Sequence, residues 1–179
     1  MLTECATVES VLNPGGHAAV VVVGLGEVQV TRDPEVVLAS FGLGSCVVVC
    51  LFDPVTHVGG MTHVVLPSSG NRPVSSTYPG KYADSGTAHL VRGLEGHGAA
   101  RSRMMAKIAG GAAVTRGSMP DSLFDVGNKN VAAVQAALER EGIPIVAYDT
   151  GGHHGRSVWF WVKSGKVLVR TAKNVTIQL

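Results

Sequence analysis

One stretch of the chain decides its fold: Cys46-Val47-Val48-Val49-Cys50-Leu51-Phe52. The run is continuous, apolar and rich in β-branched residues, which is typical of a buried strand. A second strand is predicted over 60–66, and a turn-rich link, Asp53-Pro54-Val55-Thr56-His57, joins the two. We therefore predict an antiparallel hairpin in which His63 lies across from the 46–50 segment.

Both cysteines of this hairpin are candidates to lie beside His63. The imidazole of His63 could act as the base that activates a thiol nucleophile. Cys46 follows the stretch Gly42-Leu43-Gly44-Ser45, where the chain can turn sharply and present free N–H groups to a developing oxyanion. Cys50 lies among Val and Leu and is most simply a small core hydrophobe. Hairpin geometry alone does not choose between them. Each residue also has a purely structural interpretation. Cys46 would be an inert thiol in a turn that enters a strand, and His63 would be a core histidine hydrogen-bonded to a backbone carbonyl.

Six short motifs follow one another along most of the chain. They are Gly-Leu-Gly-Ser-Cys-Val at 42–47, Gly-Gly-Met-Thr-His-Val at 59–64, Lys-Tyr-Ala-Asp at 81–84, Lys-Ile-Ala-Gly-Gly-Ala at 107–112, Gly-Asn-Lys-Asn-Val at 127–131, and Asp-Thr-Gly-Gly at 149–152 ahead of Gly-Arg at 155–156. In this order, from about Gly26 to Val169, the chain resembles the CheD family of chemoreceptor glutamine deamidases.

The resemblance implies three catalytic positions. Cys46 would be the nucleophile and His63 the general base. The third position, usually threonine in the family, falls on Ser40, which keeps the hydroxyl but lacks the methyl group. No metal or organic cofactor is implied.

The same resemblance implies the substrate and the partners. The enzyme would be a cytoplasmic protein-glutamine glutaminase that converts glutamine side chains on chemoreceptor cytoplasmic helices to glutamate, in bacterial or archaeal chemotaxis. Methylesterase activity on receptor glutamyl esters would use the same thiol chemistry. Two alternatives stay open: a binding module that regulates a CheC-type phosphatase, and a cysteine hydrolase acting on another amide.

The remaining pattern mixes strands with two helices. Helices are predicted over 82–96 and 128–140, and a long surface loop over 67–80. Further strands are predicted over 104–108, 143–148, 157–162 and 167–171, the last two as a hairpin. This order indicates an α+β fold with mainly antiparallel strands. The resemblance adds a layered sandwich of β-sheets with helices packed outside.

Composition fits a globular enzyme. The chain has 179 residues, 45% of them hydrophobic, and a formal net charge of +2, which is too small to indicate a nucleic-acid partner. The three cysteines do not suggest a disulfide framework. Residues 1–16 are predicted to be a flexible lead-in and 17–179 a single domain. The apolar run at 18–23 is far shorter than a membrane helix and is predicted to be a strand or an extended arm.

Other polar and aromatic residues favour structural roles. His153 and His154 lack further Cys or His at structural-zinc spacing and are predicted to lie in a polar loop. Lys107 and Arg156 are expected to hydrogen-bond loop carbonyls. The tryptophans at 159 and 161 alternate along one predicted strand, so they share a face and are expected to belong to the core.

Overall fold

The computed structural model describes residues 19–70, 72–113 and 126–179. Its helices are α1 (Ala83–Gly96) and α2 (Val126–Arg140), and a single 3-10 turn spans Arg101–Arg103. Its strands are β1 (Ala19–Val22), β2 (Val28–Thr31), β3 (Val36–Leu43), β4 (Val47–Asp53), β5 (Val58–Val64), β6 (Met105–Gly110), β7 (Ile145–Thr150), β8 (Arg156–Trp161), β9 (Lys166–Thr171) and β10 (Thr176–Gln178).

The strands form two five-stranded sheets. The first has the order β1-β3-β8-β9-β10, and the second has the order β2-β5-β4-β6-β7. Within the described ranges, β1–β3 and β6–β7 are the parallel pairs, and the other neighbours are antiparallel. The predicted α+β class and the mainly antiparallel pairing are confirmed.

Strand β4 occupies the centre of a three-layer arrangement. Because its side chains alternate, one set faces the first sheet and the other faces the helices. Val48, Cys50 and Phe52 pack between the sheets. Val47, Val49 and Leu51 join the core under the helices, with Leu90 and Leu94 of α1 and Val134 and Leu138 of α2. Every residue of β4 is therefore buried.

The predicted hairpin is present, with its strands displaced by one or two residues from the predicted bounds. Strands β4 and β5 are antiparallel, and His63 lies directly opposite Val48. Asp53 holds the connecting turn, because its carboxylate accepts the N–H of Val55 at 2.9 Å and binds the Arg103 guanidinium at 2.7 Å.

Three strands were not predicted: β2, β3 and β10. The stretch before Cys46 was interpreted as a glycine-rich turn, but Ser40, Phe41 and Gly42 belong to β3. Its register on β8 shifts between Ser40 and Leu43, and Gly42 has a φ of 68°. Glycine here therefore marks an irregularity inside a strand. The turn itself is confined to 44–46.

The first described strand, β1, pairs with β3 at the edge of the first sheet, which confirms the strand predicted near 18–23. The proposed lead-in, 1–16, lies outside the described residues, and a single domain over 17–179 stays a prediction. No helix within 19–70, 72–113 and 126–179 has the length and apolar character needed to cross a membrane.

The structural roles expected for Lys107 and Arg156 are confirmed. The Lys107 ammonium donates to the Gly165 carbonyl at 2.8 Å. Arg156 donates to the His154 carbonyl at 3.2 Å and binds Asp149 through two nitrogens. Trp159 is buried and Trp161 half-buried in one cluster on the outer face of the first sheet, as their alternation predicts.

Candidate active site

A hydrogen bond between Ser40 and His63 joins the two sheets. Ser40, on β3, approaches His63, on β5, with 2.9 Å between Oγ and Nδ1. The Ser40 hydroxyl also donates to the main-chain carbonyl of Val23 at 3.0 Å. All three residues are buried. The structure thus brings two of the three predicted site residues into direct contact.

These contacts favour one tautomer of His63. The Val23 carbonyl also lies 3.4 Å from His63 Nδ1, and a carbonyl can only accept. Since the Ser40 proton is donated to Val23, Ser40 Oγ is an acceptor toward Nδ1 as well. Nδ1 is therefore the protonated nitrogen, and Nε2 carries the free lone pair. Nε2 is buried and has no hydrogen-bond partner among the described residues.

Cys46 lies just before β4, on the face that carries His63. It packs against the inter-sheet core and is half-buried. Val48, the partner of His63, is two residues from Cys46 and two from Cys50, so register still does not separate the cysteines. Burial does separate them, because Cys50 is only 3% exposed and lies inside the core. No hydrogen bond joins either thiol to His63 in the described ranges.

Three consecutive carbonyls of the Cys46 turn are tied to neighbouring segments. The Gly44 carbonyl accepts the N–H of Ala112 at 2.8 Å, and the Cys46 carbonyl accepts the N–H of Gly111 at 2.7 Å. The Ser45 carbonyl accepts the side-chain amide of Asn130 at 2.8 Å. Among the described residues, no acceptor is found for the turn's own N–H groups. The backbone is anchored through its acceptors, and its donors have no partner among the described residues.

Strand β6 ends at Gly110, the first glycine of the pair at 110–111. Its φ is 119°, a conformation that residues with a side chain rarely adopt. A Cβ atom at this position would also overlap the carbonyl oxygen of Cys46. Only glycine allows β6 to approach the Cys46 turn closely enough for Gly111 to donate to it.

The loop predicted over 67–80 begins and ends beside His63. It leaves from the end of β5, and the Lys81 carbonyl accepts the N–H groups of Val65 and Leu66 at 3.0 and 2.9 Å. Asp84, in the first turn of α1, accepts the N–H of Ser69 at 3.0 Å. Both ends of the loop are therefore anchored near the strand that carries His63.

The His153-His154 pair lies in the predicted loop. His153 is exposed, and its Nδ1 lies 3.1 Å from the Ala113 carbonyl. Across the described ranges, no group of three or more His, Cys, Asp or Glu side chains is arranged to hold a metal ion.

Comparison with known proteins places this chain in a family. The family model CheD, described as CheD chemotactic sensory transduction, matches residues 65–171. The chain belongs to the CheD family. The probable chemoreceptor glutamine deamidase CheD of Symbiobacterium thermophilum is 47% identical over 149 residues, covering 83% of this chain and 90% of the relative. The chemoreceptor glutamine deamidase CheD of Thermotoga maritima is 47% identical over 150 residues, with the same coverage of both chains.

A solved structure also shows a distant likeness. The Bacillus licheniformis hypothetical protein YfiH matches with a TM-score of 0.45 and 18% identity, covering 70% of this chain and 49% of that chain.

In this CheD chain, burial favours the neutral form of both Cys46 and His63. Burial raises the pKa of the Cys46 thiol above its ordinary value. Burial lowers the pKa of His63, against the raising effects of the Val23 carbonyl and the Glu27 carboxylate. A thiol with a raised pKa does not transfer its proton to an imidazole with a lowered pKa at rest. The neutral thiol and the neutral imidazole therefore do not form an ion pair at rest.

Two contributors to the site were missed in the sequence. The Val23 carbonyl carries no sequence signal, because any residue presents one. Asn130 did carry a signal: it lies on the buried stripe of α2 between Gly127 and Val134, where a polar residue is unusual. A fully buried asparagine on an apolar helical face requires partners. Here the amide nitrogen donates to backbone carbonyls, whereas the amide oxygen has no partner among the described residues.

The neutral pair predicts how Cys46 reactivity depends on pH. Because only the thiolate is nucleophilic and the pKa of Cys46 is raised, alkylation by iodoacetamide should still rise between pH 8.5 and 9.5. The rate at Cys46 is measured by peptide mass spectrometry, which separates it from the other cysteines. A rate that is flat from pH 6 to pH 9 would show a preformed thiolate and contradict the neutral pair.

Proposed function

We propose that this protein deamidates glutamine side chains of chemoreceptors through a covalent thioester on Cys46. The observation that carries the proposal is the joint arrangement of the site. His63 is oriented through Nδ1, and the half-buried Cys46 lies in the 44–46 turn. Among the described residues, neither His63 Nε2 nor the N–H groups of this turn have a hydrogen-bond partner. The names of the relatives support the glutamine substrate.

The first half of the reaction forms the thioester. His63 Nε2 removes the thiol proton as Sγ bonds to the carboxamide carbon, and the carbonyl oxygen becomes an oxyanion. Unpaired N–H groups of the 44–46 turn stabilise this charge. The imidazolium then donates its proton to the nitrogen of the substrate amide, the C–N bond breaks, and ammonia leaves.

The second half releases the product. His63 Nε2 removes a proton from water, and the resulting hydroxide attacks the thioester carbon. The C–S bond breaks, the substrate leaves as glutamate, and the thiolate regains the proton from the imidazolium. Throughout both halves, Ser40 holds the ring by accepting from Nδ1. It also adds a dipole that favours the imidazolium. Overall, one water is consumed and one ammonia is released, and the reaction needs no cofactor.

The substrate class and the compartment belong to the same proposal. Receptor cytoplasmic helices are the substrates, and the protein acts in the cytoplasm during bacterial or archaeal chemotaxis. The thioester mechanism would also hydrolyse glutamyl methyl esters, because methanol can leave as ammonia does. Hydrolysis of a different amide by the same thiol is the competing assignment.

Substitution of the two cysteines tests the nucleophile. Cys46→Ala should abolish deamidation of a receptor cytoplasmic fragment, because it removes the thiol that forms the thioester in the proposed mechanism. Cys50→Ala, the matched control, should keep the rate within about threefold, because Cys50 is a packing residue. Mass spectrometry detects each deamidation as a gain of about one mass unit, since NH₂ becomes OH.

The outcomes of this experiment separate the alternatives. Deamidation that survives Cys46→Ala contradicts the nucleophile assignment. A wild-type protein that forms a thioester with small amides but leaves receptor glutamines unchanged would instead be a hydrolase of another substrate.

Replacement of His63 tests the base. His63→Asn should lower kcat by at least about 100-fold, because the proton must then leave the thiol without a positioned acceptor. Ser40→Thr should keep or improve turnover, since it retains the hydroxyl and restores the usual family residue. Both variants are assayed on the receptor fragment after thermal melts confirm folding. A His63→Asn enzyme with near wild-type kcat would remove His63 from the mechanism.

We also propose that a CheC-type phosphatase binds at the mouth of this site, by which we mean the surface around Leu25 and Tyr78. Two exposed apolar residues support a protein-binding mouth: Leu25, 61% exposed, and Tyr78, 48% exposed. Backbone hydrogen bonds connect the segments that carry these two residues to His63. Gly26 donates to the His63 carbonyl at 2.9 Å, and Gly80 donates to the Gly26 carbonyl at 2.8 Å. The family resemblance supports the identity of the partner.

Competition tests the shared mouth. Calorimetric titration of Cys46→Ala with the phosphatase should give the same affinity as wild type, since one small side chain rarely carries an interface. A saturating receptor fragment should weaken that binding, and the phosphatase should weaken receptor binding by the same factor. Independent binding of both would place the phosphatase elsewhere and leave the deamidase assignment intact.

A further inference from the structure

Asn130 is the polar side chain that connects the segments carrying the two reactive residues. It is 0% exposed and lies on the face of α2 that packs against the second sheet. Its amide nitrogen donates to the Ser45 carbonyl at 2.8 Å and to the Val65 carbonyl at 3.0 Å. Ser45 immediately precedes Cys46, and Val65 is two residues beyond His63.

The chemistry of the contact specifies an amide. Both neighbours are carbonyls, which only accept, so the nitrogen and not the oxygen of Asn130 must face them. A single NH₂ group supplies two protons from one atom and so joins both carbonyls. Aspartate has the same shape but no proton to donate when ionised. Alanine would leave both carbonyls without this donor.

The amide acts from the side of the sheet opposite to the reaction. Asn130 approaches from the helical layer, whereas the side chains of Cys46 and His63 face the other sheet. It therefore touches neither the thiol nor the imidazole. What it can determine is the separation of the two backbone segments, to which catalysis is sensitive because small displacements of reacting groups lower rates steeply.

We propose that Asn130 is a positioning residue that holds the Cys46 turn at a working distance from the His63 strand. The inference rests on the proposed function, because it takes Cys46 and His63 as the reacting pair. It adds a role for the Gly-Asn-Lys-Asn-Val motif at 127–131. That motif lies on α2, far in sequence from both reactive residues but joined to each through one amide.

A matched pair of variants tests the proposal. Asn130→Asp removes the donor without changing the side-chain shape, and Asn130→Ala removes it without burying a charge. Leu138→Ala is the control, because it perturbs the same helix and the same core but leaves the amide in place. Each variant is assayed below its measured unfolding temperature. The readouts are kcat and KM on the receptor fragment and the iodoacetamide rate at Cys46.

We expect both Asn130 variants to lose at least about tenfold in kcat, with KM changed by less than about threefold, because only the reacting geometry is disturbed. Leu138→Ala should retain kcat within about threefold although its unfolding temperature falls. A folded Asn130→Ala enzyme with wild-type kcat overturns the proposal. An equal loss of kcat in Leu138→Ala also overturns it, because general loosening would then explain the effect. If Asn130→Asp fails to fold, Asn130→Ala decides the result.

The design separates this inference from the proposed function. If the wild-type protein does not deamidate receptors, the proposed function fails, and the alkylation rate at Cys46 still reports whether Asn130 affects the turn. If the wild type deamidates and both Asn130 variants match it in kcat, the positioning role alone is wrong.

Discussion

The burial of β4 on both faces is the constraint on which the site depends. All seven residues from Val47 to Asp53 are buried, because the strand runs between the helical layer and the first sheet. A reactive thiol inside such a strand would be sealed from substrate, as Cys50 is. The position where the strand leaves the core is therefore the one that can combine a rigid backbone with access. Cys46 occupies that position.

Where the chain leaves the core, the backbone N–H and C=O groups of the 44–46 turn still need hydrogen-bond partners. The structure meets this need asymmetrically. Carbonyls of the 44–46 turn are bonded by Gly111, Ala112 and Asn130, whereas N–H donors are left unpaired within the described ranges. The anchoring that stabilises the turn therefore engages its acceptors and not its donors. In the proposed mechanism, these donors would bind the anionic oxygen.

The electrostatics of the pair follow from burial at the junction of the two sheets. His63 has a buried Nε2 without a partner in the described ranges, which is unfavourable in a finished fold and is characteristic of functional sites. Desolvation disfavours charge on both the thiol and the imidazole. Ser40 and the Val23 carbonyl offset part of this for His63 by accepting from Nδ1. Burial therefore favours the protonated thiol of Cys46 in the absence of substrate.

Much of this arrangement could be predicted from local pattern. The β4–β5 hairpin followed from two apolar runs around a turn, and α1 and α2 followed from their apolar spacing and their glycine stops. Strands β2 and β3 were missed because their bounds lie among glycines and charged residues, so no clear alternation separates strand from turn. For Ser40, the resemblance to the family named the residue, but local pattern placed it near a turn and not inside a strand.

The sequence by itself determined the class of fold and the family, and it named Cys46 and His63 as the predicted nucleophile and base. Only the tertiary structure decided how they are held. The Ser40–His63 contact joins residues 23 positions apart on different sheets, and Asn130 reaches the Ser45 carbonyl across 85 positions. Such contacts depend on how layers stack. A pattern of neighbours along the chain carries no information about which distant carbonyl a buried donor will meet.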